Sequence, residues 1–429
     1  MGLSMRAFRE AATTDTMVTA SNTKPSLSRR AFASGAAAGF AASFFAGSAR
    51  AAASAYPPSL AYAATYSSPA GPEGSKGRGQ GIYLFAMDPE TGALEQRAMT
   101  PNGANPSWLA IGGKGAFLYS ANETATFEGR KSGSVSAYRI DPAGGLSLIN
   151  TVSSEGAGPC HLSVHPGGKY VLVANYAGGT VAVLPIDANG GLLGFTCAIK
   201  DQGSAGPERS TSAPPGSFAI SGHEAAHAHM IQADPSGRFV LASDLGLDRI
   251  TVWRFDAEHG KLVEPAHFPL PPGDGPRHFT FHPNGRWLYS LQEEASTLVF
   301  WDFDSSNGKL SAKQSLSSLP KEFTGTNFTS EVAISPGGRF LYAANRLHNS
   351  ISFFSIAGDG RLTFLGEEWT RGDYPRSFTI DPTGRFLYCS NQRSDAITTF
   401  RVDRERGGLE FTGRYTPIGT PAMLAFLPR

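Results

Sequence analysis

Cysteine is scarce in this chain of 429 residues. Its three cysteines, Cys160, Cys197 and Cys389, are too few for a disulfide framework, and none has a partner at metal-ligand spacing. They read as small buried side chains. Charge is scarce as well: charged residues make up 17% and the formal net charge is +1. That leaves no basic field to hold a nucleic acid and no sustained basic amphipathic face for a membrane. Helical periodicity is missing too, since no stretch longer than a turn or two keeps a 3.6-residue repeat of apolar positions. Nothing resembles a phosphate-binding loop, a dinucleotide glycine motif, a zinc ribbon or a serine nucleophile elbow. What is plentiful is Gly (50), Pro (29) and aromatic residues (11%), a composition that suggests many short strands and many turns.

Residues 1–55 differ from the rest. Ser28-Arg29-Arg30-Ala31-Phe32 is a twin-arginine pattern, and residues 31–49 are apolar and Ala-rich. Residues 49–55 then offer several small-x-small cleavage choices. The order of these three regions predicts a twin-arginine export signal and leader. The expected partner is the twin-arginine export machinery, and the expected location is periplasmic or secreted. The apolar stretch is short and rich in small residues for a permanent membrane span. Fold reasoning therefore begins at Tyr56 and treats residues 56–429 as one domain.

From there one pattern recurs. Its clearest copies are HPGGKYVLVANY at 165, DPSGRFVLASDL at 234, HPNGRWLYSLQE at 282, SPGGRFLYAANR at 335 and DPTGRFLYCSNQ at 381, with a weaker IGGKGAFLYSAN at 111. An apolar strand precedes each copy and another follows. Then come a D-x-x-x-G-x-L turn and a fourth strand, as at residues 256–262, 304–310 and 403–409. Four strands in roughly 45 to 70 residues is the period of a propeller blade. Six such units are complete. A seventh assembles from three strands in residues 60–99 and a lone strand at residues 421–427, whose Pro-Ala-Met-Leu-Ala-Phe matches Pro106-Ser-Trp-Leu-Ala-Ile. Pairing the two chain ends closes the ring and removes two open sheet edges. The fold class predicted is all-β: a seven-bladed β-propeller of four-stranded antiparallel blades. The aromatics after the repeat turn, Phe239, Trp287, Phe340 and Phe386, are expected to pack between blades.

The densest stretch for chemistry is GPRHFTFHPNGRWLYSLQEEASTLVFWDFD, residues 275–304. Arg277 precedes its first strand and Glu293 ends its second. In an antiparallel pair the start of one strand lies beside the end of the next, so the two should share one sheet edge. Glu294 competes with Glu293, because alternation along a strand lets only one face the channel. Arg376, in YPRSF, has the same blade phase as Arg277 and should reach the same mouth. His278, next to Arg277, is expected to point the opposite way, packed or behind the site, and His161 in GPCHLSV occupies the matching position. His223, His227 and His229 form an H-x-x-x-H-x-H cluster, but a Gly/Pro-rich loop offers no helix to converge them on a metal.

The repeat phase, the exchange of terminal strands and GPRHFTFHPNG followed by QEE resemble the seven-bladed lactonase family. That family includes propeller-type 6-phosphogluconolactonases and carboxymuconate-lactonizing enzymes, and the likeness runs over nearly the whole chain after the leader. The resemblance implies a small-molecule site at one mouth of the central channel, with a His, two Arg and a Glu projecting into it. The matching positions are His229, Arg277, Glu293 and Arg346. Gln292 departs from the family's usual Asn, and residues 203–228 read as an inserted loop over the mouth. The function so implied is hydrolysis of an anionic or sugar lactone, with no metal or other cofactor. His229 or Glu293 would activate water, and the arginines would hold an anion or oxyanion. Arg376, His278 and His161 are the expected additional substrate contacts. Two other readings are carboxymuconate cycloisomerisation by the same residues, and a non-catalytic propeller that binds a ligand or partner.

Overall fold

The computed structural model describes residues 59–69, 76–220 and 222–428. The proposed signal and leader, residues 1–55, lie outside the described residues. Among the described residues, 28 strands form seven four-stranded antiparallel sheets, and we number them β1 to β28 in chain order. The fifth sheet is typical. It runs β16 (Pro276–Phe281), β17 (Trp287–Gln292), β18 (Thr297–Asp304) and β19 (Lys309–Ser317), so chain order and sheet order coincide.

The first strand of each blade lines the centre. These strands are β4 (Pro106–Gly112), β8 (Pro159–Val164), β12 (Ala228–Ala233), β16, β20 (Thr329–Ile334), β24 (Pro375–Ile380) and β28 (Pro421–Phe426), and neighbours in this series pack on one another around the ring. Second strands are sandwiched between blades and read as continuous apolar runs, such as FLYAAN in β21 (Phe340–Asn345), buried at every position. Fourth strands form the rim, and β19 accordingly alternates between covered and open positions. The ring closes as the sequence predicts. β28 pairs antiparallel with β1 (Ser59–Thr65), Ala61 opposite Phe426 and Ala63 opposite Leu424, and β2 (Gly81–Met87) and β3 (Leu94–Pro101) complete that blade.

The repeated D-x-x-x-G turn joins neighbouring blades. Gly308 has φ +76° and Gly407 φ +79°, and a Cβ there would lie 2.7 Å from the Phe239 ring and 2.4 Å from the Phe340 ring of the preceding blade. Only glycine accepts both the backbone and the contact. Tyrosines add a polar tie across the same joint: Tyr289 Oη donates to Gly360 O at 2.7 Å, and Tyr388 Oη to Gly92 O at 2.9 Å. Phe239, Phe340 and Phe386 therefore pack between blades as expected, whereas Trp287 is half-buried and Phe300 meets the turn glycine Gly360 of the next blade in its stead. The cysteines follow expectation only in part. Cys160 and Cys389 are buried, but Cys197 is half-buried because it starts β11 (Cys197–Lys200), a strand at the rim. Among the described residues, no helix is long and apolar enough to cross a membrane.

Candidate functional site

A β-bulge at the start of each innermost strand builds the site. The pairing register slips between Pro106 and Trp108, Pro159 and His161, Ala228 and Met230, Pro276 and His278, Thr329 and Val332, and Pro375 and Ser377, with a matching slip where β28 meets β1. A bulge leaves one residue unpaired and re-aims its side chain. The residues so released are Ser107, Cys160, His229, Arg277, Arg376 and Ala422, one from each of six blades, and Ser330 with Glu331 from the blade of β20.

Above this ring of bulges lies a cavity of about 940 Å³ that takes part of its wall from every blade. His229, Glu293, Arg346 and Arg376 all line it, with Tyr176, Cys160, Asn105, Glu123 and Tyr374. Glu293 is the hub. Its Oε2 lies 2.9 Å from Arg277 Nε and 2.6 Å from Arg346 Nη2. Arg346 is only 1% exposed. It is held further by Thr329 O at 3.1 Å and Tyr374 Oη at 3.3 Å, with its guanidinium over the rings of Phe328 and Tyr374. Arg376 lies over the Tyr66 ring and 3.9 Å from Glu123 Oε2, which also accepts the Tyr66 hydroxyl at 2.9 Å.

His229 is buried beside Cys160, whose Sγ lies 3.9 Å from His229 Nδ1 and donates to the His229 carbonyl at 3.2 Å. Burial, reinforced by the positive charge of Arg277 and by His278, Arg376 and Arg346, holds the His229 imidazole well below its ordinary value. The neutral imidazole is therefore the favoured form. Burial raises the Cys160 thiol far above its usual range, so it is no nucleophile.

The residues expected from the sequence fall into two layers. Arg277 and Glu293 share one sheet edge, and His229, Glu293, Arg346 and Arg376 share the cavity wall. Arg277, 2% exposed, sits just beneath Glu293, with its Nη1 donating to Ser330 O. His278 and His161 do not line the wall. They fill the channel one layer below, where Trp108 packs 4.6 Å from the His161 ring and 5.1 Å from the His278 ring. Simple alternation had turned His278 away from the channel. The bulge corrects that, because it offsets the pattern by one residue and sends His278 inward below Arg277.

Alternation does separate the two glutamates. Glu293 faces the cavity, whereas buried Glu294 bonds through Oε1 to His223 Nδ1 at 3.2 Å. The three-histidine cluster diverges. His223 bonds Asp248 and Glu294, His227 stacks on Tyr176, and His229 turns to the cavity. Among the described residues, no group of three or more His, Cys, Asp or Glu is arranged to hold a metal ion.

The model of the family described as Lactonase, 7-bladed beta-propeller matches residues 60–426. The chain belongs to the seven-bladed β-propeller lactonase family. Among its relatives, a 6-phosphogluconolactonase of Bacillus subtilis is 31% identical over 293 residues, covering 68% of this chain and 78% of that one. A 6-phosphogluconolactonase of Formosa agariphila is 31% identical over 295 residues, covering 67% and 78%. Among solved structures, a periplasmic gluconolactonase of Pseudomonas aeruginosa superimposes with a TM-score of 0.75 at 28% identity, covering 86% of this chain and 99% of that one.

Sequence reasoning missed several residues of the cavity wall and of the layer beneath it. Cys160 and Glu331 carried a usable signal, because each occupies the strand position of a residue that was singled out: Cys160 that of Arg277, and Glu331 that of His278. Tyr66, Glu123 and Tyr176 carried a signal too, because each directly follows the second strand of its blade, the position that Glu293 and Arg346 hold. Tyr374 stands just before an innermost strand, where Gly275 stands in the fifth blade, and no residue was singled out at that position. The loop of residues 203–228 does reach the mouth, contributing Ile220 and Gly222 to the wall.

Proposed function

We propose that this chain hydrolyses the lactone of a sugar acid at the channel mouth, without a metal. The observation that carries the reading is the convergence of a neutral His229, Glu293 and two arginines, Arg346 and Arg376, on one cavity. Water attacks the lactone carbonyl carbon while His229 Nε2, the ring nitrogen away from Cys160, takes its proton. The oxyanion that forms is stabilised by the guanidinium of Arg346. The ring C–O bond then breaks, and His229 returns its proton to the departing ring oxygen. Arg376 holds the polar or anionic end of the substrate. With two guanidiniums on one oxygen, Glu293 is assigned the task of fixing Arg346 and Arg277 in place.

The paired Arg29-Arg30 ahead of an Ala-rich stretch supports export through the twin-arginine route. Phosphorylated sugars are cytoplasmic metabolites in the main, so outside the cytoplasm an unphosphorylated aldonolactone is the natural substrate. The likeness to a periplasmic gluconolactonase supports the same reading. The deciding assay compares gluconolactone, 6-phosphogluconolactone and a carboxymuconate side by side on the purified mature chain. Preferential opening of the plain lactone is expected. Equal turnover of the two lactones removes the basis for the unphosphorylated substrate, and turnover of the muconate alone replaces hydrolysis by cycloisomerisation. Cell fractionation tests export: the chain is expected in the periplasm, and the double change R29K/R30K should retain it in the cytoplasm.

A further inference from the structure

Below the cavity lies a buried carboxylate for which the proposed hydrolysis has no use. Glu331 stands on β20, in the strand position that His278 holds on β16. Its Oε1 lies 3.1 Å from His278 Nδ1 and accepts the Val332 N–H at 3.0 Å, and its Oε2 accepts the Ser377 hydroxyl at 3.2 Å. Arg277 Nη1 lies 3.4 Å from His278 Nε2. A guanidinium only donates, so Nε2 accepts and the imidazole proton is on Nδ1, donated to Glu331. A continuous chain of polar contacts thus runs from the cavity downward: Glu293, Arg277, His278, Glu331.

Counting charge shows what Glu331 does there. Three buried guanidiniums, Arg277, Arg346 and Arg376, meet three carboxylates, Glu293, Glu123 and Glu331; a fourth, Arg393, lines the cavity from its exposed rim, over the Tyr374 ring. The neighbouring histidines add nothing, because burial and the nearby positive charge hold His161, His229 and His278 well below their ordinary values. Among these buried groups the charges balance only while all three carboxylates are ionised, and the exposed Arg393 is screened by solvent. A bound anion makes one of them surplus, and in a low-dielectric site an unbalanced charge is costly. Glu293 is locked between two guanidiniums. Glu123 keeps Arg376 and the Tyr66 hydroxyl. Glu331 has no guanidinium of its own and reaches Arg277 only through His278.

We propose that Glu331 is the internal counter-charge of the mouth arginines, and that an anionic ligand binding at the mouth drives a proton onto it. Its hydrogen bonds survive the change: Oε1 still accepts from His278 and Val332, and the new O–H at Oε2 points to Ser377 Oγ. Burial, partly opposed by Arg277, already lifts the Glu331 carboxyl to about 7. The charged or ionisable groups facing it are Arg277 and His278 on β16, His161 on β8 and Arg376 on β24. On β17 and β21 the only ionisable side chains are Tyr289 and Tyr342. Tyr289 donates outward to Gly360 O, and Tyr342 lies toward Asp403.

The inference rests on the anion-holding part of the proposed function, and the test reads binding rather than turnover. Lost lactone turnover with intact proton uptake would strike the hydrolase reading alone. Sulfate and gluconate, which stay ionised across the range, are titrated calorimetrically at about pH 8 in two buffers of different ionisation enthalpy. Expected is uptake of most of one proton per anion, with affinity falling toward tenfold per pH unit above about 7. In E331Q, which keeps the geometry and the neutral state, uptake vanishes and affinity stays flat with pH, no weaker than wild type at about pH 8. Absence of uptake in the wild type, unchanged uptake in E331Q, or failure of both anions to bind overturns the proposal. Should E331Q not fold, infrared difference spectra of the wild type decide: a protonated-carboxyl band must appear on adding sulfate, and its absence overturns the proposal equally.

Discussion

Glu293 and Arg346 come from neighbouring blades and meet at 2.6 Å inside the cavity wall, with Arg277 on the same carboxylate oxygen. Removing one partner of a buried ion pair leaves an uncompensated charge, at a cost of about 3 to 5 kcal/mol. Glu293→Gln leaves two buried guanidiniums facing each other without their shared anion. It is expected to destabilise the fold by about 3 kcal/mol in urea unfolding and to lower kcat at least tenfold. A variant as stable as the wild type would mean that Glu293 does not organise the arginines.

His229 is expected to act on kcat rather than on KM. His229→Asn removes the proton acceptor and should lower kcat by about 10² to 10⁴ with KM nearly unchanged. Because burial holds the imidazole well below its ordinary value, the working neutral form persists as pH falls. With uncharged gluconolactone, the wild-type rate should stay flat through about pH 6.5 and drop only below it. A rate that halves near pH 6.5 would show that the group taking the proton is not held below the ordinary histidine value, against this reading of His229.

The ring and its closure were legible in the sequence, and the inward layer of the site was not. A propeller repeats its packing, so Gly308 and Gly407 stand in turns that recur, and the likeness of residues 421–426 to residues 106–111 exposes the terminal strand exchange. Arg277 and Glu293 were placed together by antiparallel pairing alone, and Arg376 by its blade phase. The bulges were hidden, because they leave no residue signature beyond a Pro that is absent at Ala228 and Thr329. Without them His278 seemed to turn away from the channel, and Glu331 was passed over. Glu123 and Tyr66 directly follow the second strands of their blades, as Glu293 and Arg346 do, so the repeat marks their positions; that they close on Arg376 follows only from the tertiary fold.

The loop of residues 203–228 is latched by His223, whose Nε2 lies 3.1 Å from Asp248 Oδ1 and Nδ1 3.2 Å from Glu294 Oε1. Burial alone would lower this imidazole, but the two carboxylates outweigh it and raise it to about 10. A raised histidine contributes stability that is complete below its unfolded value, about 6.5, and is lost as pH climbs through the folded one. The melting temperature should therefore fall steadily between about pH 7 and 10. His223→Gln should be less stable at neutral pH and should flatten that decline. Because Ile220 and Gly222 of the same loop form part of the cavity wall, KM should rise in the variant. An unaltered alkaline slope would remove His223 as the latch.

Gln292 offers a gain in stability. At the same strand position, Asn345 Nδ2 donates across the strand to Ser350 Oγ at 3.2 Å and Asn175 Nδ2 to Thr180 Oγ1 at 3.0 Å. Gln292 pairs with Thr297 in this register, but its side chain is one methylene longer, and its amide N and O and Thr297 Oγ1 are all buried without a hydrogen-bond partner. Unsatisfied buried polar groups cost about 1 to 3 kcal/mol each. Gln292→Asn shortens the side chain to the length that bonds in the sister blades. It should raise stability by about 1 kcal/mol, measured by urea unfolding. Combining it with Thr297→Val should cancel the gain, because the new bond would lose its acceptor. A gain that survives in the double variant would trace the effect to relief of packing rather than to the restored cross-strand bond.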